Sequence, residues 1–415
     1  MLAVDSSPFT KFLLVRQRSE EICKPLEAED HVVQPIVDVS PPKWHLGHTT
    51  WFFEAFILQP LKSDYQVYDD TYAFVFNSYY EGKGARIIRT NRGNLTRPTV
   101  DEVLDYRHYV DEQMAALLEA DPGPELLKLL ALGLNHEQQH QELLLYDIKY
   151  ILGTNPLFPA YREFRSYELQ TSPEMKWLDI DEGLHMIGHE NEGFSFDNEH
   201  GRHQVFLHGA RIADRLVTNG EYLQFMADGG YTNYRHWLSD GWDWVNANQV
   251  RAPFHWHITD EGWMNYSLNG GLLPVDMNAP VQHVNYFEAD AFAKWAGYRL
   301  PTEFEWEVAC RSHGDAGVGN FFESNYLQTM VVGQSGHQFY GDVWEWTSSA
   351  YLPYPYYKAP EGAVGEYNGK FMVNQMVLRG GSYATPGDHI RATYRNFFQP
   401  QHRWLFSGVR LAAYQ

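Results

Sequence analysis

Two histidines four residues apart, His136 and His140, sit in the apolar run NHEQQHQELLLYDIKYIL that begins at Asn135. Four residues along an α-helix turn the chain by about 400°, so both imidazoles leave the same face about one turn apart. Metal-binding helices use this spacing, and a hydrogen-bonded structural pair on a core helix has the same one. A metal needs at least one further ligand. Glu142 lies six residues past His136, about 240° around the helix, which assigns it to an outer or structural role. The third ligand is expected from a neighbouring helix, as in bundle metal sites generally. The stretch SPPKWHLGHTTWFFEAFIL offers His45 and His48. There Trp44, His48, Trp51, Ala55 and Leu58 form one stripe at three-and-four spacing, and His48 is its only polar member. His48 is therefore predicted to point into the core, whereas His45 falls off the stripe and is the weaker choice. Three neutral imidazoles without a thiolate suit Fe(II), Zn(II) or Cu(II), and residue types alone leave the three open.

Four helical segments are expected to position these side chains. SPFTKFLLVRQRSEEICKPL carries apolar residues at helical spacing, and the segment from Ser40 has a capping serine with Pro41 in the first turn. RPTVDEVLDYRHYVDEQMAALLEA opens with Thr99 and Glu102 in the capping-box pattern. The fourth helix runs from GPELLKLL through the histidine pair. Together they suggest a four-helix bundle. A connection of residues 61 to 96 joins the second and third helices, and a connection that long usually carries function. After Gly153 the texture changes. GTNPLFPAYREF reads as a linker, and beyond it come short apolar runs rich in Gly, Trp and Tyr. VTNGEYLQFMADGG and YFEADAFAKWAGYRLPTEFEWEVAC are the two helical candidates of that half. The expected organisation is a helical domain over 1–155 and an irregular, loop-rich α+β domain over 165–415.

The 415 residues include 15% aromatics and carry a net charge of −21, which argues against a nucleic-acid or anionic-membrane surface. Cys23 and Cys310 are the only cysteines, and neither sits in a CxxC pair, so a disulfide framework is not expected. No run approaches a membrane span and the N-terminus lacks a secretory pattern. The expectation is a soluble, cytoplasmic protein.

LGHTTWFFE together with HEQQHQE resembles the DinB-like domain of the ergothioneine-biosynthesis sulfoxide synthases of the EgtB type. APVQHVNYFEADAFAKWAGYRLPTEFEWE, GDVWEWTSS, LRGGSY and FSGVRLA resemble the formylglycine-generating-enzyme (FGE) sulfatase fold, a C-type-lectin-like α+β domain. The resemblance covers nearly the whole chain. It implies an Fe(II) held by residues matching His48, His136 and His140. The family uses O2 to join a thiol to C2 of the imidazole of Nα-trimethylhistidine (hercynine), forming a C–S bond and a sulfoxide. The resemblance assigns further roles. Tyr79 and Tyr80, in NSYYEGKG, match the tyrosine pair of the cysteine-using branch, where a phenol donates a proton or hydrogen atom. Arg89 and Arg92, in RTNR, match arginines that hold the carboxylate of the thiol substrate. Gln139 matches a glutamine that contacts the hercynine imidazole. Asn396, followed by Phe397 and Phe398, lies in the segment that matches the family's substrate-binding stretch, and Tyr367 in GEYNG matches a contacting tyrosine.

Two departures bear on the thiol. The branch that takes γ-glutamylcysteine carries an aspartate and, four residues on, an arginine after this asparagine; here Phe398 and His402 stand there. That branch's catalytic tyrosine near GEYNG is also missing, with Val364 near its place. Both point to free L-cysteine. Rival readings are an ovothiol-type synthase acting on unmethylated histidine, a selenoneine synthase taking a selenosugar, the copper-binding FGE itself, and a metal-binding module without catalysis. The FGE uses a cysteine pair, and Cys310 has no partner in its domain.

Overall fold

The computed structural model describes residues 7–120, 122–331, 333, 337–361, 365 and 368–415. The chain forms two compact units, Met1–Tyr161 with Glu361–Tyr367, and Arg162–Pro360 with Asn368–Gln415. No described helix is long and apolar enough to cross a membrane.

The first unit is helical. Its long helices are α1 (Pro8–Cys23), α2 (Pro42–Phe53), α5 (Val100–Glu119) and α6 (Pro124–Gly153), with short helices α3 (Gln59–Leu61) and α4 (Tyr72–Phe76) in the connection after α2. Helix α5 starts on the expected capping box. The Thr99 side chain accepts the Glu102 amide, and the Glu102 carboxylate accepts the Thr99 amide at 2.7 Å. Helix α2 starts one residue later than expected, with Pro41 as its cap and Pro42 at the first helical position. Ser40 is not the cap. Its amide donates to Asp147 at 2.8 Å, and its hydroxyl accepts Arg92 at 2.9 Å. Tertiary partners have displaced the local one.

All twelve residues of α2 are buried. The apolar stripe carrying His48 is thus part of a helix covered on every side, by α1, α5, α6 and α4. Beyond Phe53 the helix widens into a π-turn, Glu54–Leu58. Glu54 there accepts the hydroxyls of Tyr65 at 2.5 Å and Tyr106 at 2.6 Å, tying the long connection and α5 to the end of α2.

One ion cluster locks three of the long helices. Glu137 on α6 is fully buried and accepts Arg16 of α1 at 2.9 Å, Arg107 of α5 at 2.5 Å and the Ser19 hydroxyl at 2.6 Å. Arg16 also pairs with Asp111 at 2.6 Å. Burial alone would raise the pKa of Glu137, but the guanidinium groups of Arg107 and Arg16 and the Ser19 hydroxyl outweigh it and bring it down from 4.5 to about 2.

Among its described residues the second unit holds four small sheets. Their strands are β1 (Trp177–Ile180), β2 (Gly183–Ile187), β3 (His203–Leu207), β4 (Ala210–Ala213), β5 (Trp256–Thr259), β6 (Gly262–Ser267), β7 (Gly271–Pro274), β8 (Trp344–Ala350), β9 (Met376–Arg379), β10 (Asn396–Phe398), β11 (Ser407–Gly408) and β12 (Ala412–Tyr414). The sheet orders are β1-β4-β12, β10-β9-β8-β11, β2-β3 and β5-β6-β7. Helices α7 (Asn219–Ala227) and α9 (Tyr286–Trp295) fall within the expected helical stretches, and α10 (Glu303–His313) follows after a break at 296–302 and runs three residues past the expected end at Cys310. Helix α8 (Ser239–Asn248) was not legible in the sequence. It has no side-chain cap, and only Gly241 and Val245 along it are buried. Helix α10 lies against six strands of three sheets and supplies the buried acids Glu303 and Glu307. Glu303 accepts Arg395 at 2.8 Å and Arg379 at 2.9 Å, while Glu307 accepts Arg379 at 3.1 Å. This irregular α+β unit after a helical bundle agrees with the expected fold class.

Removing Glu137 takes the shared carboxylate from two buried guanidinium groups and leaves Arg16 with Asp111 and Arg107 with Glu20. Glu137→Ala should lower unfolding stability by about 3–5 kcal/mol, read from urea denaturation. Because the folded pKa lies below the unfolded one, the stabilisation is present above about 4.5 in the parent and is lost as pH falls towards about 2. The gap between parent and variant should shrink over that window.

Candidate metal centre

His48 from α2 and His136 and His140 from α6 bring one ring nitrogen each within 4.8 Å of one another. His48 and His136 are 0% and 1% exposed, and His140 keeps a little exposure. Burial lowers the pKa of all three, His136 to about 3. The rings are therefore neutral at ordinary pH, the form in which imidazole is a ligand.

The tautomer of His48 follows from its partner. A carbonyl only accepts, so Nδ1 donates to the Phe76 oxygen at 2.6 Å and the lone pair resides on Nε2. That Nε2 stands 3.3 Å from Nε2 of His136. Two nitrogens each roughly 2.1 Å from one cation stand about 3.0–3.4 Å apart at right-angled to tetrahedral geometry. With the His136 hydrogen on Nδ1, two lone pairs face each other and a positive charge belongs between them, and in that tautomer the donor set fits a divalent cation. Phe76 reaches this position because Gly47 has no side chain. A Cβ there would lie 2.1 Å from the Phe76 ring. Phe76 ends α4, where the carbonyls have no intrahelical donor.

The wall behind His48 is aromatic. Trp44 stacks on it with centroids 4.7 Å apart and planes 9° apart, and Trp51 lies at 5.9 Å. Arg92 lies over the other face of this wall, 3.4 Å from the Trp44 ring centre. It is buried and donates to the hydroxyls of Ser40 at 2.9 Å and Ser78 at 3.1 Å. Among the described residues no carboxylate forms an ion pair with it. Burial, then the charge of Arg89, lowers its pKa, with Asp147 acting in the other direction. Arg89 is exposed and donates to the Asp38 carbonyl at 2.6 Å.

Tyr79 and Tyr80 pack ring to ring at 4.6 Å. Tyr80 is fully buried and lies 5.8 Å from Trp51, one ring removed from His48. Gln139 is half-buried beside His140. Glu142 lies outside the histidine cluster and accepts the Tyr146 hydroxyl at 2.6 Å, as its position on the helix predicts. His45 lies off the apolar stripe and is the weaker candidate by sequence. Its Nδ1 nevertheless faces His140 Nδ1 at 2.9 Å, and its Nε2 faces Asp147 at 2.9 Å. The signal available was Asp147 itself, seven residues past His140 and so on the same helix face two turns on.

In the second unit, Asn396, Phe397 and Phe398 form β10, paired antiparallel with β9 and half-buried. The Asn396 side chain accepts the Phe397 amide at 2.9 Å. Phe397 stacks on Tyr351 at 4.0 Å. Phe398 packs edge-on against His402 at 6.3 Å and Trp404 at 5.3 Å. Tyr367 and Val364 lie outside the described residues.

The chain matches the DinB superfamily over residues 11–144 and the Sulfatase-modifying factor enzyme 1-like domain over 162–329 and 333–414. It is 33% identical over 307 residues to the hercynine oxygenase of Mycobacterium tuberculosis, covering 68% of this chain and 71% of that one. The chain belongs to the hercynine oxygenase family. The enzyme of that name from Mycolicibacterium thermoresistibile is also 33% identical, with 74% of each chain covered. A formylglycine-generating enzyme from Streptomyces coelicolor is 30% identical over 46% of this chain and 73% of its own. Membership makes the chain an oxidoreductase of ergothioneine biosynthesis and agrees with the family expected from its motifs.

Single replacement of His48, His136 or His140 by Ala should weaken divalent-metal retention by more than the roughly 10- to 100-fold that loss of an outer partner costs. Equilibrium dialysis checks this, and unchanged retention in His48→Ala would remove that residue from the site.

Proposed function

We propose that this chain is a non-haem Fe(II)-dependent sulfoxide synthase. It uses O2 to join L-cysteine to C2 of the hercynine imidazole, giving hercynylcysteine sulfoxide. The observation that carries this reading is the convergence of three neutral, buried imidazoles in a chain of the hercynine oxygenase family. Oxygen takes up four electrons. Two come from coupling the thiol S–H with the imidazole C–H, and two from oxidising sulfur to the sulfoxide. One oxygen atom ends in the sulfoxide and the other in water with the two released protons.

The iron would be held by His48, His136 and His140, and when bound it supplies a Lewis-acidic site that lowers the thiol pKa and activates O2. Arg92 suits the cysteine carboxylate because it is a buried cation without an ion-pair partner among the described residues, and such a charge is costly until an anion joins it. Arg89 is the second arginine of this reading. Tyr79 and Tyr80 supply the proton, since a phenol on a rigid aromatic wall can deliver it without water entering. Gln139 offers an amide to the hercynine ring from beside His140. Asn396, Phe397, Phe398 and Tyr367 match the family's substrate-binding positions and are assigned that role in this reading.

Free cysteine is favoured over γ-glutamylcysteine by the surroundings of Phe398. This ring, His402 and Trp404 pack against one another. At the two positions where the γ-glutamylcysteine-using branch carries an aspartate and an arginine, this chain carries Phe398 and His402. Burying the extra carboxylate and ammonium of a γ-glutamyl group without partners costs several kcal/mol.

The direct test loads the protein with Fe(II) anaerobically, adds cysteine, hercynine and O2, and identifies products by mass spectrometry. Hercynylcysteine sulfoxide is expected; absence of thiol- and hercynine-dependent O2 uptake would refute the reading. With Phe at both Tyr79 and Tyr80, folding and iron content should persist. The sulfoxide rate should fall by roughly 100-fold or more, with cysteine sulfinate appearing instead. A double variant that makes sulfoxide at the parent rate would exclude both phenols as donors. With hercynine saturating and the two thiols in competition, kcat/KM should favour cysteine at least tenfold, about 1.4 kcal/mol. Phe398→Asp with His402→Arg should narrow that gap. Equal consumption of the two thiols would mean that Phe398 and His402 do not set the choice.

A further inference from the structure

His45 and Asp147 form a buried chain that ends on His140. His45 is 4% exposed and Asp147 2%. Asp147 Oδ2 accepts the Ser40 amide at 2.8 Å and lies 2.9 Å from His45 Nε2. An ionised carboxylate only accepts, so His45 Nε2 carries the hydrogen. A neutral imidazole has a single N–H, and His45 Nδ1 is therefore an acceptor. It faces His140 Nδ1 at 2.9 Å, so His140 donates there, and the His140 lone pair is left on Nε2. We propose that Asp147 and His45 are positioning residues that act in series through His140, fixing its tautomer and ring orientation so that Nε2 faces the metal.

The fold explains why His140 needs side chains for this. His48 achieves the same result in one link, by donating to the Phe76 carbonyl at the end of a short helix. His140 lies in the interior of the thirty-residue helix α6, where neighbouring carbonyls already accept amides four residues on. An acceptor for its Nδ1 must come from another element, and His45 on α2 provides it. Asp147, two turns along α6 from His140, closes the loop back onto the same helix. Outer partners of this kind orient metal-binding histidines and raise their basicity. His45 is itself excluded as a ligand in this arrangement, because one of its nitrogens is held by Asp147 and the other by His140.

The inference rests on His48, His136 and His140 being metal ligands, and the experiment separates the two claims. Co(II) is titrated into the folded apo protein against a competing chelator, following its visible absorption. Folding of each apo variant is checked by circular dichroism and urea denaturation. His45→Phe and Asp147→Ala should each weaken Co(II) binding by roughly 10- to 100-fold. His45→Gln, whose amide both accepts and donates, should stay nearer the parent than His45→Phe. The decisive variant combines His45→Phe with Asp147→Ala. Links in series predict Co(II) binding no weaker than in His45→Phe alone, whereas two independent structural losses would multiply. Parent-like Co(II) binding in both single variants, or multiplied effects in the double one, would overturn the relay alone. Parent-like Co(II) binding in His48→Ala would overturn the ligand assignment and the relay with it. If His45→Phe does not fold, His45→Gln takes its place in the double comparison, with Asp147→Ala expected to weaken Co(II) binding by a smaller factor in its presence than in the parent.

Discussion

Three imidazoles must remain uncharged and face one another where water is scarce, and much of the first unit is arranged around that requirement. Burial removes the charged form of each ring, as the lowered pKa values of His48, His136 and His140 express. The same burial makes every other nitrogen of these rings costly if it lacks a partner. The arrangement that follows is dense with specific partners. The Phe76 carbonyl serves His48, and the His45 ring serves His140. Trp44 and Trp51 wall off His48 with apolar surface. Gly47 matters here through what it omits, since a side chain would push Phe76 away from the histidine beside it.

Orientation of the face carrying His136 and His140 is also set from behind. Glu137 directly follows His136 and is therefore turned about 100° from it around α6. Arg16 on α1 and Arg107 on α5 hold its carboxylate, and Ser19 adds a hydroxyl. A helix pinned on that side has little freedom to rotate about its axis, so the buried ion cluster sets the angle at which His136 and His140 project. A hydrophobic contact could supply comparable stability, but it is not directional. A carboxylate shared by two guanidinium groups is.

The second unit relies on the same device to organise a structure with little regular sheet. Glu303 and Glu307 on α10 gather Arg379 and Arg395, and Glu345 on β8 accepts Arg410 at 2.5 Å and the Trp306 indole at 2.6 Å. Short strands bury little surface individually. Directional ion pairs from α10 hold Arg379 at the end of β9 and Arg395 just before β10. On this frame β10 presents Asn396, Phe397 and Phe398 half-buried, with Phe397 anchored on Tyr351.

The three candidate ligands were legible in the sequence because helical periodicity is local. Four residues between His136 and His140 place them on one face in any helix, and the capping box of Thr99 and Glu102 marks the start of α5 wherever that helix packs. The motifs that identify the family lie within contiguous stretches and were equally readable, as was the change from a bundle to an irregular α+β unit. Contacts between distant segments were not legible. Ser40 has the chemistry of a helix cap, but the Asp147 carboxylate, 107 positions away, takes its amide. His45 lay off the apolar stripe, and that stripe lost its meaning once α2 was covered on all sides. Helix α8 carries too few buried residues and no cap to announce it. Periodicity specifies which way a side chain leaves its own helix. Which partner it meets there depends on helices whose approach is set by burial and ion pairing across the chain, and only the tertiary structure determines that.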